Sequence, residues 1–185
     1  MQRIVLASNS PIRAQLLSSH GVPFKQKVAN FDEESLNISN PRYFVYRATV
    51  GKMKSYLALY DLELPVLCAD TVVTCNGKLL RKAKDKNDAR KILQAQSGNV
   101  VSILTCMILK SKKREFIDVS STDYKFKEFD KNALEEYLES GEWQDKAGAC
   151  MVEGFCKDYI EEVRGFESTA MGLCVEKLLP FLDEN

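Results

Sequence analysis

Apolar residues along this chain gather into short runs and stripes, with a spacing that alternates between the two-residue repeat of strands and the three-to-four-residue repeat of helices. Arg3 to Ala7 is a compact apolar run that predicts a strand, and the turn SNSP follows at once. Ser10 then predicts a helix cap, because Pro11 at the first helical position lacks only an amide hydrogen that the first turn leaves unpaired. This helix is expected to reach about Ser19 and stop at Gly21, with Ile12, Leu16 and Leu17 on one face and Arg13 pointing elsewhere. Phe24 to Val28 alternates like a strand. Asn40-Pro41 opens a second helix with Phe44, Val45 and Ala48 in its stripe and Lys52 and Lys54 outside it.

Val66 to Cys68 predicts a strand that delivers Asp70 at its end, then more strand and an Asn76-Gly77 hairpin turn, whose two central residues both need positive φ. Lys86 to Gln96 predicts a helix with Ala89, Ile92 and Leu93 inward and Gly98 as its stop. Asn99 to Lys110 and Glu115 to Phe129 are rich in β-branched and aromatic residues and predict two long strands joined by the basic turn SKKR. Asp130 caps a helix bearing Ala133, Leu134, Tyr137 and Leu138, which ends at Gly141. Glu142 to Phe155 is glycine-bearing and unperiodic, a loop leading into a short strand. Asp158 to Arg164 predicts another strand, Gly165 to Thr169 a loop, and the remainder to Leu182 a helical core face carrying Leu173, Leu178, Leu179 and Leu182. Helices alternating with strands around a central antiparallel pair predict an α/β fold with a mixed sheet, as a single domain over residues 1–185.

Composition narrows the function classes. With 185 residues, 45% hydrophobic and a formal net charge of zero, the chain can bury one core and has no global charge to draw it to nucleic acid or an anionic membrane. Any anion site must therefore be local. The apolar run in MQRIVLASNS is too short for a signal peptide, and no stretch approaches the ~20 apolar residues that span a bilayer, which places the expected setting in the cytoplasm. The six cysteines include no C-x-x-C pair, which argues against structural zinc; most sit among apolar neighbours and are expected to be small core residues in a reducing compartment. His20, the single histidine, is expected to be a helix-end residue rather than a catalytic base.

Two stretches could carry chemistry. In PVLCADTVVTCNGKLLRKAKD the hairpin would fold Arg81, Lys82 and Lys84 back toward Asp70, and a carboxylate near clustered cations suits phosphate chemistry. A solvated basic strand beside an ordinary strand aspartate would look the same. At the N-terminus, a strand, a serine-bearing turn with Ser8 and Ser10, and a helix start carrying Arg13 offer hydroxyls, free amides and a dipole to an anion. The acidic bunch Asp32, Glu33 and Glu34 is either solvated or a source of a Mg²⁺ ligand.

Taken in order, these motifs resemble the Maf proteins, nucleoside triphosphate pyrophosphatases of the ITPase-like superfamily. LASNSPIRAQLL is similar to the family's opening motif, and FDEE, ADTVV with its K-x-K-D, DARKIL, SGN with Thr105 after it, DKAGA, EG and MGL follow in the family's order over essentially the whole chain. The resemblance implies an elongated mixed sheet flanked by helices, with two lobes around a central cleft. It implies cleavage of a nucleotide between its α and β phosphates to a nucleoside monophosphate and pyrophosphate, with a divalent cation, Mg²⁺ or Mn²⁺, and a homodimer. By position it makes Asp70 the catalytic base and a metal ligand with Glu33, and makes Ser8, Ser10, Arg13, Lys52, Lys82 and Glu153 substrate-binding residues. Maf proteins are also associated with arrest of septum formation, so a nucleotide-binding regulator of division that hydrolyses little is the alternative.

The chain also departs from the family pattern. Ile12 replaces the first Arg of S-P-R-R, Ala83 the proline of G-K-P-K, Glu153 a common Gln, Thr169 an Asn and Cys174 a Pro. One family branch prefers dTTP and UTP and another 7-methyl-GTP; Ile12, SGN and EG resemble the second, DKAGA the first. An ionised Glu153 can only accept hydrogen bonds, so a carboxylate facing the base would repel O4 of uracil or thymine and favour guanine-like or cytosine-like edges.

Overall fold

A computed structural model of the chain describes residues 1–183, without the side chains of Glu34 and Asp183. The helix caps read from the sequence are in place. The helix α1 (Pro11–Ser19) starts where the Ser10 side chain accepts from the Arg13 amide at 3.4 Å. Asn40 caps α2 (Pro41–Leu59), and Asp130 caps α4 (Lys131–Ser140) by accepting from Asn132 and Ala133, both at 2.9 Å. A cap that the sequence reading did not name, Asp85, starts α3 (Lys86–Gln96). Gly141 ends α4 in the left-handed region at φ 75°. His20 is the cap at the end of α1: its Nδ1 lies 2.8 Å from the Leu16 carbonyl, which can only accept, so Nδ1 carries the proton.

Seven strands, β1 (Ile4–Leu6), β2 (Phe24–Gln26), β3 (Val66–Cys75), β4 (Lys78–Leu80), β5 (Val100–Lys110), β6 (Glu115–Phe126) and β7 (Ile160–Arg164), form one mixed sheet of order β2-β1-β3-β5-β6-β7, with β4 on β3. β1 pairs in parallel with both β2 and β3, and the intervening α1 and α2 supply the crossovers that parallel neighbours require. β3 and β4 form the expected hairpin, with Asn76 at φ 51° and Gly77 at φ 72°, and β7 runs antiparallel to β6.

Several expectations change. Asp70 is not at a strand end but in the middle of the unbroken ten-residue β3. Ile12 is 38% exposed, so the buried face of α1 is Leu16 and Leu17 alone. β2 and β6 end earlier than their apolar patterns suggest, at Gln26 and Phe126. The short strand expected before Phe155 is replaced by turns and one isolated bridge between Lys82 and Ala147. The expected loop Gly165 to Thr169 already contains a one-turn helix, α5 (Glu167–Ala170), and the C-terminal apolar face is split between α6 (Val175–Leu178) and α7 (Pro180–Asp183).

The chain divides into two compact units. The first comprises Met1–Thr71, Leu104–Ser121 and the residues from Phe166 onward, and the second Val72–Ile103 and Thr122–Gly165. In the first, β1, β3 and β5 pack against α1 and the C-terminal segment through Leu6, Leu17, Leu67, Met107, Leu173 and Leu178, all essentially excluded from solvent. Each such side chain contributes about 1.5–3 kcal/mol of burial. The second unit is held by an aromatic cluster: Tyr137 stacks on Phe155 with centroids 4.6 Å apart, and Phe129 meets Tyr159 at 4.8 Å and Phe155 at 5.2 Å. Cys68, Cys75, Cys106 and Cys174 are buried and free, as expected of core cysteines. Cys150 and Cys156 depart from that expectation and form a disulfide with Cα atoms 6.5 Å apart. Among the described residues, no helix is long and apolar enough to cross a membrane.

Candidate active site

The first unit gathers six of the residues singled out from the sequence: Ser8, Ser10, Arg13, Glu33, Lys52 and Asp70. β3 carries Asp70 into the interior, where it is 5% exposed. Lys52, expected outside the apolar stripe of α2, turns inward instead. Its Nζ donates to Asp70 Oδ1 and lies 2.9 Å from Glu33 Oε2, so one ammonium is shared by two carboxylates. A buried carboxylate demands such a partner, and this demand draws a helix lysine inward. Glu33 comes from the single turn Glu33–Ser35 and reaches Lys52 in the second half of α2. Its Oε2 is shielded from solvent but receives no well-aligned hydrogen bond, so its contact with Lys52 is charge attraction at close range.

Burial holds the pKa of Asp70 above the ordinary carboxylate value, with Glu33 adding to the rise while Lys52 and Arg13 oppose it. For Glu33 burial acts in the same upward direction, but the contacts with Lys52, helped by Asp70 and Arg13, outweigh it and leave the pKa below its usual value. The two carboxylates share one lysine and titrate as a pair, with Asp70 as the member that keeps a proton longer.

Arg13 is held on three sides. Its Nε donates to the Gly172 carbonyl at 2.9 Å, one Nη to Ser8 Oγ at 3.1 Å and the other to Thr71 Oγ1 at 3.0 Å. Ser8 Oγ also accepts from the Ser10 amide at 3.2 Å, while Ser10 spends its own oxygen on the cap of α1. Desolvation lowers the Arg13 pKa, with Asp70 and Glu33 working against it, and the guanidinium stays charged. Gly172 has φ +107°, and a Cβ there would stand 3.0 Å from Arg13 Nε and 3.3 Å from Thr71 Oγ1. Close approach of backbone to the guanidinium thus requires glycine at this position.

Lys82 and Glu153 belong to the second unit. β4 ends at Leu80, and Lys82, 64% exposed in its side chain, makes an ion pair of 3.8 Å with Asp145 and bridges to Ala147 through its backbone. Glu153 is exposed in a turn closed by the Gly154 amide on the Met151 carbonyl at 3.0 Å, between the two halves of the disulfide.

Sequence reasoning does not single out Thr71 or Gly172 as partners of Arg13. Thr71 follows Asp70 directly, and Gly172 lies in the MGL motif, but nothing in a linear sequence pairs either with a residue on the first helix. The site fits a hard divalent cation in its donor set, two carboxylates that converge on one ammonium. Among the described residues no group of three or more His, Cys, Asp or Glu side chains is arranged to hold a metal, so the remaining ligands would be water and phosphate oxygens.

A mixed α/β sheet that carries a buried carboxylate, a lysine bridging it to a second carboxylate, and an arginine held on three sides is the frame of this site. Residues 3–185 match the family model described as Maf-like protein, and the chain belongs to that family. A protein of a Nitratiruptor species named nucleoside triphosphate pyrophosphatase is 55% identical over 95% of this chain and 96% of its own. One of the same name from Helicobacter pylori is 42% identical over 95% of this chain and 93% of its own. The Staphylococcus aureus Ham1 protein superposes on 68% of this chain and 72% of its own with TM-score 0.46 and 15% identity, a loose likeness on which nothing further rests.

Proposed function

We propose that this chain is a nucleoside triphosphate pyrophosphatase that cleaves between the α and β phosphates, releasing a nucleoside monophosphate and pyrophosphate. The observation that carries it is Asp70, buried, raised in pKa by that burial, and tied to Lys52 and through it to Glu33. A free carboxylate is too weak a base near neutral pH, and burial moves this one toward the range in which it can take a proton from water. Asp70 therefore orients the attacking water and accepts its proton. Arg13 and Lys52, with Lys82 by its motif position, neutralise charge that builds on the pyrophosphate as it leaves. Ser8 holds Arg13 toward that charge, and Ser10 fixes the helix that carries it.

Asp70 and Glu33 are the residues that would hold Mg²⁺ or Mn²⁺, and the bound cation would supply charge to phosphate oxygens and acidify water. The homodimer comes with the family resemblance, and the cytoplasmic setting with the short apolar runs of the sequence. For the base, Glu153 as a pure acceptor favours 7-methyl-GTP or CTP over dTTP and UTP.

Purified protein with Mg²⁺ and a panel of nucleoside triphosphates, assayed for pyrophosphate, tests the activity. Asp70→Asn keeps the shape and the hydrogen bond to Lys52 but cannot act as base, so kcat is expected to fall by about 10²–10⁴ while nucleotide still binds. Near wild-type kcat in that variant would overturn the assignment of Asp70.

A further inference from the structure

Thr105 lies in the middle of the apolar strand β5 and is fully buried, where a hydroxyl without a partner costs free energy. Its Oγ1 is 2.7 Å from the Thr169 carbonyl and 2.9 Å from Thr71 Oγ1. A carbonyl can only accept and a hydroxyl has one proton, so that of Thr105 goes to Thr169. Only lone pairs are then left for Thr71, which must donate to Thr105 and turn its own lone pairs to the Arg13 Nη at 3.0 Å. One backbone carbonyl thus sets the direction of the whole series: Arg13 donates to Thr71, Thr71 to Thr105, and Thr105 to Thr169.

We propose that Thr105 is a positioning residue for Arg13, acting through Thr71 to fix the guanidinium in the orientation in which it meets phosphate. It rests on the reading of Arg13 as a phosphate-binding cation. With its proton committed to Thr105, Thr71 presents only an acceptor to Arg13 and does not itself donate to an anion. Without Thr105 the Thr71 hydroxyl can turn its proton toward Arg13, where two donors would face each other. Only Ser8 and Gly172 would then restrain the guanidinium.

The test compares Thr105→Val, which keeps the shape and loses the hydroxyl, with Thr105→Ser, which keeps the hydroxyl. For a hydrolysed triphosphate, Thr105→Val is expected to lower kcat about tenfold with KM changed less than about threefold, because Arg13 acts on charge that builds as pyrophosphate leaves, and Thr105→Ser to stay within about twofold of wild type. In an Arg13→Ala background, Thr105→Val should add less than about twofold, because the residue through which it acts is gone. Effects that multiply independently, or a serine that fails to rescue, would overturn the proposal. A second measurement needs no nucleotide: the Arg13 Nε–H NMR signal should exchange slowly in wild type and Thr105→Ser and at least about tenfold faster in Thr105→Val. Thr71→Val breaks the same series at a less buried residue and serves if Thr105→Val does not fold. Unchanged exchange in the folded variant overturns the positioning role, whereas a wild type that hydrolyses no triphosphate overturns the activity and leaves the exchange result to decide.

Discussion

The two regions that carry candidate residues hold them by opposite means. In the first unit each side chain is fixed by other side chains: Lys52 by two carboxylates, Arg13 by a serine, a threonine and a backbone carbonyl, Thr71 by a second threonine. In the second unit the backbone is fixed and the side chain left loose. Glu153 sits exposed on a turn between linked Cys150 and Cys156, and Lys82 touches Asp145 only at 3.8 Å, with both partners mostly in water. Buried, mutually bonded charges set geometry, whereas exposed ion pairs contribute about 0–1 kcal/mol and leave a residue free to reorient toward a ligand. The first arrangement suits chemistry that is the same for every nucleotide, and the second suits contacts that differ between them.

Comparing Arg13→Ala with Lys82→Ala is the most direct way to break this contrast. Arg13→Ala is expected to lower kcat/KM about tenfold to a hundredfold, the worth of a charge-assisted hydrogen bond, and to lower Tm as well, because it takes the guanidinium's bond from the Gly172 carbonyl and from the Ser8 and Thr71 hydroxyls. Lys82→Ala should lower kcat/KM while leaving Tm within the range of a surface substitution. Equal Tm losses would erase the distinction. Gly172→Ala comes next: positive φ and contacts of 3.0 and 3.3 Å on Arg13 and Thr71 predict a stability loss of about 1–3 kcal/mol in denaturant unfolding, and an unchanged midpoint would refute the close approach.

A smaller effect is expected at the loose end. Glu153→Gln should shift the ratio of kcat/KM between CTP and UTP by several-fold, about one hydrogen bond, with Tm unchanged. A ranking that stays the same would mean that Glu153 does not read the base. The smallest effect is absent at neutral pH. Burial pushes the Cys68 thiol up to about 12 and Cys106 up to about 11, so both stay protonated in the fold while the unfolded chain ionises near 9.0. The folded state then binds more protons than the unfolded one, and stability present below pH 9 is lost as pH rises toward those folded values. Tm measured from pH 8 to 10.5 should fall less steeply in Cys68→Ala than in wild type, and parallel curves would contradict the burial of the thiol.

How much of this is legible in the sequence depends on range. Helix starts at Ser10, Asn40 and Asp130 and the Asn76-Gly77 turn are decided within four residues, and all form as expected. A polar residue after an apolar run looks like a boundary, which puts Asp70 at a strand end. Lys52, on the next element back, is what allows the strand to continue through it. The inward turn of Lys52 is hidden for the same reason, since helical spacing places a lysine outside the stripe until a buried carboxylate is known to face it. Thr71, Thr105 and Thr169 are separated by 34 and 64 residues, so no local pattern could join them. The disulfide is equally hidden, because Cys150 and Cys156 follow no familiar cysteine spacing and meet only when the intervening turn closes.

The bond from Arg13 to Gly172 spans 159 residues. On a ribosome adding ~5–20 residues per second, roughly 8–30 s separate the two ends of that contact. The second unit, built wholly from residues 72–165, has all its chain before the first has its closing segment. The earliest residues to emerge therefore wait for the latest: β1 has no Leu173 or Leu178 to cover it, and the arginine has no carbonyl to hold it. The hold of Gly172 on Arg13 is thus among the last contacts of the molecule to come into being, and a chain broken off before Phe166 never acquires it.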